Sequence, residues 1–94
     1  MDNSDTNKVR IDKWLWAARF FKTRGLAKAA IEGGKVHIDG HKSKPSRILE
    51  VGNIMTVRQG FDEKTIEVIE LSEHRRGASE AQVLYRETDQ SIEQ

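Results

Sequence analysis

Gly33-Gly34-Lys35-Val36-His37-Ile38-Asp39-Gly40-His41-Lys42-Ser43 is the stretch in which the period of the sequence changes. The paired glycines stop a helical pattern, because glycine takes the left-handed C′ conformation at little cost. Lys35 to Ile38 then alternates polar and apolar, Asp39-Gly40 supplies a two-residue turn matched to strand twist, and His41 to Ser43 returns. A β-hairpin is predicted. Upstream, Thr23 is an N-cap for a short helix over Arg24 to Glu32, with Leu26, Ala27 and Ala30 on one face and Arg24, Lys28 and Glu32 stacked on the other. Further back, Asp12 offers an N-cap for a helix running to about Lys22, whose stripe Ile11, Trp14, Leu15, Ala18 and Phe21 should face the core.

Downstream, Pro45-Ser46 and Val51-Gly52-Asn53 mark turns before a strand Ile54 to Arg58. Gly60 and Asp62 break it, Lys64 to Leu71 alternates again, Arg75-Arg76-Gly77 reads as a basic loop, and Ala78 to Arg86 as one short helix. That helix would lay Val83 or Leu84, with Tyr85, on the domain. The predicted class is α+β: two N-terminal helices, a small antiparallel sheet, and a C-terminal arm with one short helix. Disorder is expected over residues 1–7, a folded domain over 8–58, a last strand and packing arm over 59–86, and a frayed acidic tail over 87–94.

Ninety-four residues suffice for one compact domain with a modest core. No run approaches the roughly 18 apolar residues of a membrane span, and Met1 to Asp5 has neither the basic start nor the apolar stretch of a signal peptide, so the cytoplasm is the expected address. The absence of cysteine excludes a disulfide framework, thiolate catalysis and Cys-type zinc sites. Gly33-Gly34-Lys35 fails as a phosphate loop: the earlier glycine is missing, Val36 replaces the Ser/Thr, and the segment ends a helix instead of starting one. His37 and His41 straddle a turn with no third ligand nearby in sequence and read as hairpin surface, not a metal pair. No nucleophile, base and orienting acid are recognisable. Neither catalysis, cofactor nor metal is expected.

The net charge of +1 conceals a division. Between Lys8 and Arg47 stand eleven Lys/Arg against three Asp/Glu, while the remainder holds five against twelve. Such asymmetry suits a domain with one surface for a polyanion and the rest for solubility. Lys22, Arg24 and Lys28 surround the start of the second helix, Lys35, Lys42 and Lys44 lie on the hairpin, and Arg10 and Lys13 stand at the first helix. Together they could follow several phosphates of a folded RNA. Trp16 and Phe20 fall off the apolar stripe; they either stack on unpaired bases or lie beneath the C-terminal arm, and so small a core favours the second.

The run Arg10-Ile11-Asp12-Lys13-Trp14-Leu15, then Phe21-Lys22-Thr23-Arg24, Leu26-Ala27, Ala30 and Gly34 to Gly40, resembles the S4 RNA-binding domain. Within that superfamily, Lys13 to Arg24 looks like the ribosome-associated heat-shock protein 15 family, as does Ala81 to Thr88 beyond the domain. The resemblance implies an S4-type surface, known as αL, that clamps structured RNA between the helices and the hairpin. It also implies a stress-response factor for the large ribosomal subunit, binding subunits that carry a stalled nascent chain and aiding rescue or recycling. Ribosomal RNA is then the main partner, peptidyl-transfer RNA and non-specific DNA are further candidates, and a monomer is expected. Arg10, Lys13, Lys22, Thr23, Arg24, Lys28, Lys35, Lys42 and Lys44 carry over as RNA contacts, Thr23 entering as cap and phosphate donor.

Three departures stand against the pattern: Asp39 replaces a common Asn, Ser43 replaces a common apolar residue, and the sequence ends at Gln94 in an acidic stretch where relatives tend to continue into a basic tail. The last leaves open a truncated chain or a likeness to shorter quality-control relatives. Two other function classes remain: the RNA-guiding module of an RNA-modifying enzyme such as a pseudouridine synthase, and a protein-interaction module using the acidic C-terminal half.

Overall fold

The computed structural model describes residues 8–72, 74–75 and 77–88. In chain order these form β1 (Val9–Arg10), α1 (Ile11–Ala17), α2 (Arg24–Glu32), β2 (Val36–Ile38), β3 (His41–Lys42), β4 (Ile48–Leu49), β5 (Ile54–Gln59), β6 (Asp62–Val68), α3 (Ala78–Ala81) with a 3-10 turn over Gln82–Leu84, and β7 (Tyr85–Glu87). The expected α+β class is observed. A five-stranded antiparallel sheet has the order β3-β2-β5-β6-β7, and β1 pairs separately with β4.

Local signals suffice to place α2 and the hairpin. Thr23 Oγ1 accepts from the Leu26 amide at 3.1 Å. At the other end Gly34 takes φ +80°, and the Lys35 amide reaches back to Ala30 O at 2.9 Å. Asp39 and Gly40 both have positive φ, 51° and 85°, which is the turn that lets β2 and β3 pair without splaying.

The first helix differs from expectation at both ends. It stops at Ala17, not near Lys22, because Arg19 adopts φ 66° and the Phe20 amide bonds Leu15 O at 3.0 Å, the same closing motif that Gly34 makes for α2. A left-handed Arg costs roughly 1–2 kcal/mol, so no glycine announces the stop. The gain is aromatic: the turn brings Phe20 to 6.1 Å from the Trp14 ring and 4.7 Å from Tyr85. Nor does Asp12 cap α1. The Ile11 and Asp12 amides donate instead to Arg47 O and Pro45 O, fastening the loop before β4 beneath the helix.

Behind the helices, Val36, Ile38, Met55, Val57, Ile66 and Val68 point inward and meet Ile11, Trp14, Leu15 and Ile31. Trp14 is wholly buried, and its indole N–H is satisfied by Glu70 O at 2.8 Å. The C-terminal arm corrects a further expectation. Helical geometry ends at Leu84, and Tyr85 to Glu87 returns as β7 along β6. Glu87, placed by sequence in the fraying tail, is thus a strand residue; the fraying expected at 1–7 and 89–94, and Arg76 of the basic loop, lie outside the described residues. Leu84 is buried and Val83 exposed.

Trp16 and Phe20 are partly buried against the core. Tyr85 covers Phe20, as expected, but Trp16 is covered by Arg75, whose guanidinium lies 5.7 Å from the ring centroid. Arg75 Nη1 also donates to Trp16 O (2.6 Å) and Phe21 O (2.9 Å), tying the loop before α3 to the last turn of α1 and to the turn that follows it. Replacing Arg75 with Ala should therefore lower stability by about 2 kcal/mol, since charge-assisted bonds to two half-buried carbonyls are lost. Urea denaturation checks this: the midpoint should fall with an unchanged slope, and an unchanged midpoint would show that the latch is not stabilising.

Candidate nucleic-acid interface

The start of α1, the outer face of α2 and the loop after β3 converge on one open cleft of about 500 Å³, lined by Arg10, Lys28, Glu32, Lys42, Ser43, Lys44, Pro45 and Ser46. Four of these are cations and Glu32 is the one acid among the lining residues. Lys28 projects because Ala27, Ala30 and Ile31 turn the opposite face of α2 to the core. Lys44 is placed by the carbonyls of Pro45 and Arg47 on α1, and its own carbonyl accepts from the Arg47 amide at 3.1 Å. Lys42 crosses Gly34, with Cε 3.9 Å from the point a Cβ there would occupy.

Beneath this surface lies Asp12, whose place in the sequence suggests a helix cap and whose place in the fold is different. It is 3% exposed, and its Oδ2 sits 3.0 Å from Arg10 Nη2 and 3.8 Å from Arg24 Nη2. Both arginines keep 45% of their side chains exposed. Asp12 therefore draws together the guanidinium groups of Arg10, on the cleft wall, and Arg24, at the start of α2, while much of each stays in water. Its Oδ1 is buried without a hydrogen-bond partner among the described residues. A buried ion is tolerated when paired, and here the pairing orders two cations from different elements. The sequence does carry a signal for this role, since Asp12 is the sole acid between Lys8 and Ile31.

The nine expected contacts do not form one patch. Arg10, Lys28, Lys42 and Lys44 line the cleft, and Arg24 joins them through Asp12. Lys22 and Thr23 are exposed in the turn before α2, the Thr23 oxygen being engaged as the cap. Lys13 is half-buried on α1. Lys35 lies apart, beside Arg58, in a groove formed with α2. His37 pairs across the hairpin with Lys42 and His41 with Ile38, so the two imidazoles occupy opposite faces. Asp39, the departure from the usual Asn, is engaged internally. Its carboxylate accepts from the Ile54 amide (3.1 Å) and Asn53 Nδ2 (3.3 Å), pinning the turn to β5.

A helix pair packed on an antiparallel sheet, with a basic cleft between the second helix and the hairpin, defines a protein of the S4-domain class, and the S4 domain family model matches residues 9–54. The chain is 59% identical to heat shock protein 15 of Escherichia coli K12 over 92% of its length, and 37% identical to the RQC P-site tRNA stabilizing factor of Bacillus subtilis over 69%. The match covers 65% of the first relative and 76% of the second. A trimeric heat shock protein 15 structure from Vibrio cholerae superposes with a TM-score of 0.89 at 60% identity, covering 92% of this chain and 87% of that one. The chain belongs to the heat shock protein 15 family. It spans about 65% of the length of the curated heat shock protein 15 relatives it matches.

Substituting Asp12 with Asn keeps the shape and removes the charge that organises Arg10 and Arg24. Because both arginines are well exposed, the stability loss should be modest, about 1 kcal/mol. Their guanidinium N–H groups should exchange faster with solvent by NMR. Unaltered exchange at both arginines would show that Asp12 does not hold them.

Proposed function

We propose that this chain is a ribosome-associated RNA-binding protein that acts by recognition, without chemistry, on large-subunit ribosomal RNA. The observation that carries this reading is the cleft itself: Arg10, Lys28, Lys42 and Lys44 around one concavity, with Arg24 tethered beside it. Cations on two walls of a groove suit the phosphates of a folded RNA strand, and shape-based recognition of A-form RNA is largely tolerant of sequence. The name of the Bacillus subtilis relative supports a finer reading, in which the subunit carries a stalled nascent chain on transfer RNA and binding aids rescue or recycling. Peptidyl-transfer RNA and non-specific DNA are further polyanions the same surface would accept, and the cytoplasm is where such subunits occur. The chain is taken to act as a monomer; light scattering checks this, since the Vibrio cholerae relative is trimeric in its structure.

Charge reversal in the cleft tests the reading. Arg24 is a poor choice, because a Glu there would face buried Asp12 and confound binding with folding. Lys28→Glu combined with Lys44→Glu alters two exposed cleft residues instead. The double variant should keep its circular dichroism spectrum and melting temperature yet leave the large-subunit fractions of a density gradient. Retention of the folded variant on large subunits at physiological salt would remove the cleft as the interface.

Salt dependence gives an independent measure. About five phosphate contacts, at roughly 0.7 released counterions each, predict a log–log slope of affinity against salt near −3 to −4. A slope near −1 would contradict a phosphate-binding cleft.

A further inference from the structure

The β5–β6 hairpin ends in a two-residue turn in which Gln59 pairs with Asp62 and Gly60 takes φ +62°. This turn geometry asks for glycine at the first central position and makes no demand for an aromatic at the second. Yet that second residue is Phe61, fully exposed at 110% and outside the core cluster. Folding therefore gives it no reason to be there. The tip is held in place, because Gln59 Nε2 donates to Phe20 O and so ties the hairpin to the turn after α1.

Gln59 and Gly60, the residues that lead into Phe61, line one end of a groove of about 360 Å³, with Leu26 and Ala29 on the α2 side and Lys35 and Arg58 on the strand side. The Arg58 amide bonds Lys35 O at 2.8 Å, which keeps the two cations side by side. Leu26 is 52% exposed, and no acid lines this groove among the described residues. Glu63 lies 4.0 Å from Arg58, but both side chains are more than half exposed, so the pair is weak and a phosphate can displace it. The groove is separate from the basic cleft but close to its margin: Lys42, a cleft residue, crosses Gly34, whose neighbour is Lys35.

We propose that this groove and the Phe61 tip form a second seat for nucleic acid, one that takes an unpaired nucleotide leading out of the folded RNA in the cleft. Phe61 stacks on the base, and Lys35 and Arg58 take the flanking phosphates. An aromatic platform beside paired cations is the combination that grips single strands without regard to sequence. The inference rests on the RNA reading of the cleft, but adds a distinct ligand feature, the unpaired base.

Two RNAs sharing one stem, one blunt and one with a single-stranded extension, separate the two readings in a fluorescence-anisotropy titration of the full chain. The extension should tighten binding by on the order of tenfold, the range expected for one stacked base. Phe61→Ala should abolish that gain and leave the blunt-stem affinity and melting temperature unchanged, while Phe61→Trp should retain it. Equal affinity of the unaltered chain for both RNAs, or a gain that survives Phe61→Ala, would overturn the second seat; the latter is also the result if Phe61 serves a protein partner. Failure to bind the blunt stem would count against the cleft reading alone, and an extension-dependent affinity that requires Phe61 would still support the second seat.

Discussion

A buried carboxylate in the first turn of α1 governs how the rest of the domain is arranged. Moving an unpaired carboxylate out of water costs several kcal/mol, so Asp12 is stable at 3% exposure because Arg10 and Arg24 bring positive charge to it from two directions. Arg10 precedes α1 and Arg24 opens α2, so this one contact sets the starts of both helices against each other. The α1 amides that a capping side chain would otherwise take are given to Pro45 O and Arg47 O, which brings the loop after β3 to the same corner. Three segments distant in sequence meet there, and the basic cleft is the space left between them.

The energetic logic of that corner differs from the logic of the core. Apolar burial of Trp14, Leu15, Ile31 and the inward strand residues supplies the stability, and it is non-directional. The ion pairs at Asp12 contribute little net free energy, because both arginines stay hydrated on one side. They supply direction instead. A guanidinium already held on one edge loses less side-chain entropy when its other edge meets a phosphate, which is how preorganisation raises affinity. The same division separates Arg75, which latches the arm over Trp16, from Lys28 and Lys44, which carry charge into the cleft.

How much of the structure is legible in the sequence follows from how local each signal is. Thr23, Gly34 and Asp39-Gly40 act through hydrogen bonds and φ angles within a few residues, and α2 and the hairpin can be read from them. The end of α1 cannot, since the left-handed conformation of Arg19 is offset by the packing of Phe20 against Trp14 and against the distant Tyr85. Strand β7 is hidden for the same kind of reason: Tyr85 to Glu87 is defined by pairing with Ile66 to Val68, which no local pattern encodes. The charge map of the N-terminal half identifies the cations of the cleft but not their grouping. Lys35 follows Lys28 closely in sequence, yet the chain reversal at Gly34 sends it toward Arg58. Asp12 reads as a cap because a first-turn acid ordinarily is one, and only the fold reveals that loop carbonyls already fill that role.

On the proposed reading, RNA enters between α2 and the loop after β3. An NMR titration of the isotopically labelled chain with a stem-loop of large-subunit ribosomal RNA reports on it most directly, because every backbone amide is observed at once. The largest shift changes should fall on Lys28, Glu32 and the segment Lys42 to Ser46, with Arg10 and Arg24 following and α3 unaffected. Changes centred on Glu70 to Leu84, with the cleft amides unmoved, would contradict it.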